Sequence, residues 1–400
     1  MKKMLALVVM VAMFSAVLAV PAISAVKMGD ACTKVGSTAI AKGYKFTCLA
    51  KGKKKVWSKG VKVVNNGAMK PTPSPSATSS VSPSPTPALT LVERWRATGS
   101  RALEGFDKAF PQKPAQYPRL ETVWRISELV NPLISNEIQR QYKESIEFWS
   151  AYTKHQGVLQ VIVGTLDDIN FVCKWRDTYL EMSDPSCTSS FRTDKTRTWD
   201  AHTTQMPTKA TDFYFMTDPA TLKEVSFLPR VPHEFFHNVQ YAQTVRYKSL
   251  LPCWAEEGGA EYFGVLISSQ GDPEAFLMRR FRPLSDSRGK LMKSQLTQAD
   301  WKEWLLSTDM NSIIPGSSRW GCQDVQPEGI YSYGLLATEY LNLKLGTAGL
   351  LALYRDSESL GWDKAVEKSF GKSKSEAYDE IALYMKLEHG IVLKQLALRG

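Results

Sequence analysis

The segment VPHEFFH at positions 231 to 237 constrains this chain more than any other stretch. Its two histidines, His233 and His237, are four positions apart, about one helical turn, so both imidazoles project from the same face and can bind one zinc ion. Glu234 follows the first histidine, where its carboxylate can reach a water molecule at the metal and take its proton. With only 5 histidines in 400 residues, a chance match would be rare. The segment therefore predicts a helix with two metal ligands and a general base.

A zinc ion held by two histidines needs a third protein ligand and an open fourth position to be catalytic. The stretch PCWAEEGGAEY at positions 252 to 262 supplies acidic side chains, and Glu257 lies 20 positions after His237, which leaves room for a loop and a second helix. The pattern H-E-x-x-H followed by W-x-x-E-G-x-A-E-Y resembles the gluzincin metallopeptidases, the group that contains thermolysin and the zinc aminopeptidases. The resemblance implies that His233, His237 and Glu257 bind one zinc ion and that Glu234 is the general base.

Glu256 is the rival for the third ligand position. We favour Glu257 because a Gly-Gly-Ala run follows it, and small side chains would let this helix approach the first one closely. A second reason is Glu261, one turn further along, which could accept a hydrogen bond from a ligand histidine and fix its tautomer and ring orientation. The alternative for Glu261 is a solvated charge on the helix surface.

The segment GIYSYGLLATEYL at positions 329 to 341 is similar to the helix that follows the metal motif in gluzincin-like peptidases, and the similarity extends over residues 230 to 388. It implies that Tyr331 donates a hydrogen bond to the oxyanion that forms when water attacks the scissile carbonyl. The alternatives are that Tyr331 packs in the core, or that Tyr333 takes this role. The chain has no separate histidine donor of the thermolysin kind and no motif for a free amino end, so an aminopeptidase is not supported.

The chain begins with two lysines, an apolar run over residues 4 to 20, and small residues up to Ala25. This order is typical of a secretory signal peptide, predicted here over residues 1 to 25, and predicts an exported protein, secreted or associated with the cell envelope. An uncleaved membrane anchor is the alternative, since the apolar run is near the lower length limit for spanning a bilayer.

Residues 26 to 66 form a small basic module with ten lysines against Asp30 alone, so it carries nearly all of the net charge of +10. The module is too short to build a stable apolar core unaided, and a disulfide between Cys32 and Cys48 would compensate. The lysines between Lys51 and Lys62 predict attraction to an anionic cell-wall polymer or membrane surface. The alternative is a basic surface that serves solubility only, and nucleic acid is a poor partner for an exported chain.

Residues 67 to 90 are rich in Pro, Ser and Thr and predict an extended linker. Residues 91 to 400 then form the main domain. We expect an α+β fold with a zincin-like catalytic domain, predominantly helical with a small mixed sheet. Apolar spacing predicts helices over residues 91 to 110 and 134 to 154, and β-branched or apolar runs predict strands over residues 158 to 164 and 212 to 216. The resemblance to the gluzincin-like peptidases implies a further helix over residues 375 to 387.

Four further cysteines follow the module. Cys173 and Cys187 bracket a polar loop and are expected to form a disulfide, which leaves Cys253 to pair with Cys322. Free buried thiols are the alternative.

Three histidines lie outside the metal motif: His155, His202 and His389. None has a partner at ligand spacing, so each is expected at the surface or as a hydrogen-bonded core residue.

Together these features predict an exported zinc metallopeptidase that hydrolyses peptide or protein substrates with a water molecule activated by zinc and Glu234. The alternative is a non-catalytic envelope or cell-wall binding protein in which zinc joins two helices and the lysines bind the partner.

Overall fold

The chain forms two compact units, residues 1–85 and 86–400, and each is described by itself. The division falls inside the stretch predicted as a linker, and the predicted signal peptide lies outside the described residues. The computed structural model describes residues 30–33, 38–41, 44–51, 54–58, 61–62, 90–110, 115–154, 158–181, 199–206, 209–216, 222, 227–243, 251–285, 295–309 and 329–397.

The small unit is an antiparallel sheet with a central strand, β2, that pairs with each of its neighbours. Its Cys32–Cys48 disulfide is present, as predicted. Phe46 and Cys48 are the buried apolar residues among those whose burial is described in this unit. The disulfide therefore supplies stability that so small a core cannot. The strands are β1 (Thr38–Ala41), β2 (Tyr44–Lys51), β3 (Lys54–Trp57) and β4 (Val61–Lys62).

The large unit is predominantly helical with one small sheet, which confirms the predicted α+β class. Its strands are β5 (Glu121–Ile126), β6 (Val158–Gly164), β7 (Trp199–Met206) and β8 (Lys209–Met216). Its helices are α1 (Leu91–Ala97), α2 (Ala102–Ala109), α3 (Pro132–Trp149), α4 (Ile169–Leu180), α5 (Arg230–Ala242), α6 (Cys253–Ser268), α7 (Pro273–Ser285), α8 (Gln298–Ser307), α9 (Ile330–Leu360), α10 (Trp362–Phe370) and α11 (Lys374–Ala397). None of these helices is long and apolar enough to cross a membrane.

The sheet of the large unit is mixed, with strand order β5-β6-β8-β7. β5, β6 and β8 run parallel, and β7 runs antiparallel to β8. The two predicted strands are the central ones, β6 and β8. The edge strands β5 and β7 were not predicted from the sequence, because edge strands carry polar residues that weaken the apolar signal.

Three predicted helices have different bounds in the structure. The helix expected over residues 375 to 387 is α11, which begins at Lys374 and ends at Ala397. The single helix expected over residues 91 to 110 is two helices, α1 and α2, because Gly99 between them has a φ of +76° that ends the first one. The helix expected over residues 134 to 154 begins at Pro132, where Asn131 caps its first turn, and ends at Trp149.

Helix α6 packs against both α5 and α9. The expected close approach of the Gly-Gly-Ala run to α5 is made by Gly259, where an added Cβ would lie 3.1 Å from the ring of Phe236. Gly258 faces α9 instead, and an added Cβ there would lie 2.2 Å from the backbone of Gly334. Close packing on both sides holds the acidic side chains of α6 at fixed distances from α5.

Candidate metal centre

Helices α5 and α6 bring three donor groups together. The Nε2 atoms of His233 and His237, one turn apart on α5, each lie 3.6 Å from Oε2 of Glu257 on α6. All three side chains offer donor atoms within 4.8 Å of one another, so the group could hold one metal ion. Among the described residues the predicted third ligand, Glu257, therefore lies where the two histidines converge.

The rival ligand, Glu256, lies outside this group. Its side chain is buried, and the hydroxyl of Tyr241 lies 3.4 Å from its Oε1. Adjacent residues on a helix point about 100° apart, so only one of the two glutamates can face the histidines. The helix orientation selects Glu257.

The second ring nitrogen of each ligand histidine contacts an oxygen. His237 Nδ1 lies 2.9 Å from Oε1 of Gln240. The other amide atom, Gln240 Nε2, donates to the backbone carbonyl of Glu256 at 2.8 Å, so Oε1 is left to accept from His237. Nδ1 of His237 is thus a proton donor, and Nε2 is the nitrogen that would present a lone pair to a metal ion.

Glu261 lies where the sequence predicted it, beside a ligand histidine. Its Oε2 is 3.2 Å from Nδ1 of His233, a close contact without the alignment of a good hydrogen bond. Glu261 is buried, so the alternative of a solvated surface charge is wrong. Gln240 was not predicted, although its position three residues after His237 places it on the same helical face.

The centre has an excess of negative charge. Glu257 and Glu261 contact its histidines, and the charge of Glu234 helps to raise the pKa of His237. A neighbouring cation is Arg230, whose guanidinium nitrogen lies 4.0 Å from Oε1 of Glu234. Arg230 was not predicted, although it precedes Glu234 by one turn. Burial disfavours its charge, but the charges of Glu261 and Glu234 outweigh burial and hold its pKa above the ordinary value.

The pKa values of the side chains in the centre show which proton a bound cation would replace. Burial disfavours a charged His237, but the charge and hydrogen bond of Glu257 outweigh it and raise the pKa of His237 to about 10. Burial likewise opposes ionisation of Glu257, yet the imidazolium of His237 and the contact with His233 hold the pKa of its carboxyl well below the ordinary range. A metal ion would take the place of the proton on His237.

Tyr331 lies beside the centre, and Tyr333 does not. The ring of Tyr331 stacks on that of His233, with centroids 6.0 Å apart and an interplanar angle of 24°. The charge of Glu257, and then burial, raise the pKa of Tyr331 well above its ordinary value, so its phenol remains a hydrogen-bond donor. Tyr333 is 1% exposed and packs on Trp301, with ring centroids 4.8 Å apart, so it is a core residue.

Other predicted residues lie away from the centre or outside the described part. Cys173 and Cys253 are each disulfide-bonded, which excludes free thiols, but the predicted partners Cys187 and Cys322 lie outside the described residues. His155 and the side chain of His202 also lie outside the described part of the chain.

His389 is fully buried beside Trp301, with ring centroids 5.2 Å apart. Neither of its ring nitrogens has a hydrogen-bond partner among the described residues, so the expected hydrogen bond of a core histidine stays a prediction. Burial lowers its pKa to about 4, so the ring stays neutral at pH 7.

Comparison with protein-family models, curated proteins and solved structures gives no match to this chain. Function is therefore inferred from the side chains: three donor groups, a neighbouring carboxylate and a phenol.

Proposed function

We propose that this protein is an exported, zinc-dependent metallopeptidase that hydrolyses peptide bonds in peptide or protein substrates. One observation carries the proposal: the donor atoms of His233, His237 and Glu257 converge within 4.8 Å, and Glu234 stands next to the first ligand on the same helix. Catalytic zinc sites use three protein ligands and leave one position open, whereas structural sites use four.

The donor set suits zinc. Two donors at about 2.1 Å from a tetrahedral ion are about 3.4 Å apart, and the distances from the two histidine Nε2 atoms to Glu257 Oε2 are 3.6 Å each. Gln240 and Glu261 contact the outer nitrogens of the two imidazoles, as partners of zinc-binding histidines usually do. The excess negative charge around the centre also favours a divalent cation.

Each catalytic side chain has a defined task in this proposal. Bound zinc would polarise the scissile carbonyl and lower the pKa of a water molecule to about 7. Glu234 takes the proton of the attacking water and passes it to the leaving amine. Tyr331, whose phenol keeps its proton, donates a hydrogen bond to the oxyanion.

The N-terminal part completes the proposal. The signal peptide directs export, and the basic module keeps the enzyme near an anionic cell-wall polymer or membrane surface. Lys51, Lys54 and Lys55 are exposed, as such binding requires. The rival, a non-catalytic envelope protein with structural zinc, is less well supported because the described residues supply three donors rather than four.

The test is Glu234→Gln in the full chain. The amide keeps the shape of the carboxylate but cannot accept the proton, so we expect cleavage of labelled casein to fall by roughly two to four orders of magnitude. Zinc content should remain unchanged, and a chelator should abolish the cleavage by the wild-type protein.

Glu256→Gln is the matched control, because Glu256 is a buried neighbour outside the donor group. It should retain zinc and activity. A zinc-loaded Glu234→Gln protein that cleaves casein at the wild-type rate would contradict the proposal. A wild-type protein that binds zinc, cleaves nothing and sediments with cell walls would favour the rival.

A further inference from the structure

Asp212 is a fully buried carboxylate that the proposed chemistry does not use. It lies on β8 with 0% of its surface exposed, and α5 packs against this strand and against β7. Burial raises the pKa of this carboxyl to about 7 despite the hydrogen bonds that lower it. A buried carboxylate is costly unless its oxygens accept hydrogen bonds, so its partners show what it stabilises.

Three elements donate hydrogen bonds to Asp212. From α5, Asn238 Nδ2 contacts both carboxylate oxygens, at 2.9 and 3.0 Å. From α3, the hydroxyl of Tyr142 donates to Oδ2 and also lies 2.9 Å from the hydroxyl of Tyr214. From β7, Thr203 pairs with Asp212 across the two strands, and its Oγ1 lies 2.8 Å from Oδ1.

Thr203 also reaches the general base. Its Oγ1 is 3.0 Å from the carbonyl oxygen of Glu234 and 3.3 Å from Oε2 of its carboxylate. A hydroxyl has one proton and two lone pairs, so rotation of the O–H bond directs the proton to one of these oxygens at a time while Oγ1 keeps its place. Thr203 therefore lies within hydrogen-bond distance of both Asp212 and Glu234, and its single proton can be donated to either of them.

We propose that Thr203 and Asp212 are positioning residues for Glu234 in the peptide hydrolysis proposed above, on which this inference rests. Asp212, held from two helices, sets the position of Thr203 Oγ1 against Glu234, and the hydroxyl holds the carboxylate of Glu234 when its proton is turned away from Asp212. The buried network thus sets the direction in which the base meets the attacking water.

Among the described residues, the contact of this carboxylate with Arg230, at 4.0 Å, is longer than a hydrogen bond. Without Thr203 the carboxylate would turn more freely about its side-chain torsions. Proton transfer requires heavy atoms within hydrogen-bond reach, and small displacements lower the rate strongly. Loss of the hydroxyl should lower kcat and leave KM and zinc binding unchanged.

The experiment uses Thr203→Val, Thr203→Ser and the wild type as full-length, zinc-loaded proteins. The valine variant keeps the volume and removes the hydroxyl, and the serine variant keeps the hydroxyl. With the fluorescence-quenched peptide that the wild type cleaves fastest, we expect kcat of Thr203→Val to fall roughly tenfold to a hundredfold at constant KM. Thr203→Ser should stay within about threefold of the wild type, and the zinc content should be equal in all three.

Thr153→Val is the matched control. It removes a buried hydroxyl that accepts a hydrogen bond from Gln243 at the end of α5, at 3.0 Å, without touching Glu234. It should keep the wild-type kcat. Equal losses in Thr203→Val and Thr153→Val, or a wild-type kcat in Thr203→Val, would overturn the inference and leave the proposed function intact.

Two further outcomes of this experiment can be told apart from those above. If Thr203→Val does not fold, Asp212→Asn makes the same test, because the amide offers one acceptor oxygen instead of two. Failure of both variants to fold would give Thr203 and Asp212 a purely structural role and overturn the inference. A zinc-loaded wild type that cleaves no peptide would overturn the proposed function and the inference together.

Discussion

The two compact units are stabilised by different means. The small unit has a disulfide and, among its described residues, two buried apolar side chains, Phe46 and Cys48. The large unit has a continuous apolar core in which Trp149, Phe236 and Trp254 are fully buried. The difference follows from length, because the fraction of surface that a chain can bury rises with its size.

This difference suits the tasks proposed for the two units. A crosslink stabilises chiefly by restricting the unfolded chain, so the surface of the small unit remains available for lysines such as Lys54 and Lys55. A dense core resists deformation, so the large unit can hold three donor groups at fixed distances. Three perturbations, from the largest expected effect to the smallest, test this contrast.

Phe236→Ala should destabilise the large unit and leave the small unit unchanged. The ring is fully buried between Trp149 and Phe263, with ring centroids 5.1 and 4.5 Å away. Its removal should lower the free energy of unfolding by about 3–5 kcal/mol. Urea unfolding measures the change, and Leu387→Ala, at a 57% exposed position, is the control with an expected change below about 0.5 kcal/mol. Equal effects in both variants would contradict the assignment of Phe236 to the core.

Serine at both positions of the Cys32–Cys48 disulfide should destabilise the small unit and leave the large unit unchanged. The bond closes a loop with a sequence separation of 16, for which chain entropy predicts a loss of about 3 kcal/mol. Limited proteolysis should cut within residues 26 to 66 while zinc content and peptide cleavage stay unchanged. Loss of zinc from this variant would show that the two units do not fold independently.

Lower pH should weaken zinc binding by the large unit. The pKa of His237 is raised to about 10 in the metal-free centre, so below that pH the ring holds a proton that zinc must displace. Affinity should therefore fall about tenfold, or about 1.4 kcal/mol, for each unit of pH from 9 to 7. Zinc competition titrations at several pH values measure the slope. A flat profile would show that His237 carries no proton for zinc to displace over this range.

Local patterns in the chain were sufficient for much of the fold. The strand β6 has the predicted bounds, because it is a short, continuous apolar run. The break at Gly99 and the edge strands β5 and β7 were not predicted. A single glycine ends a helix only where its φ becomes positive, and an edge strand depends on the neighbour that pairs with it.

The residues that surround the candidate site were harder to predict than the residues that could bind the metal. His233 and His237 are related by helical spacing, which the chain displays directly. Asp212 and Thr203 lie on the strands β8 and β7 and contact α5 from the sheet. In the sequence, each is one polar residue within its strand. No local pattern connects residues that meet only when sheet and helix pack together.

The sequence by itself determined the spacing of His233, Glu234 and His237, the basic character of the first module, and the helical period of the main domain, because each depends on residues close together in the chain. Only the tertiary structure decided between Glu256 and Glu257, placed Tyr331 at the centre and Tyr333 in the core, and joined Asp212 to Glu234 through Thr203. These choices depend on how helices rotate and pack against their neighbours, and packing is set by long-range contacts that no short stretch of sequence contains.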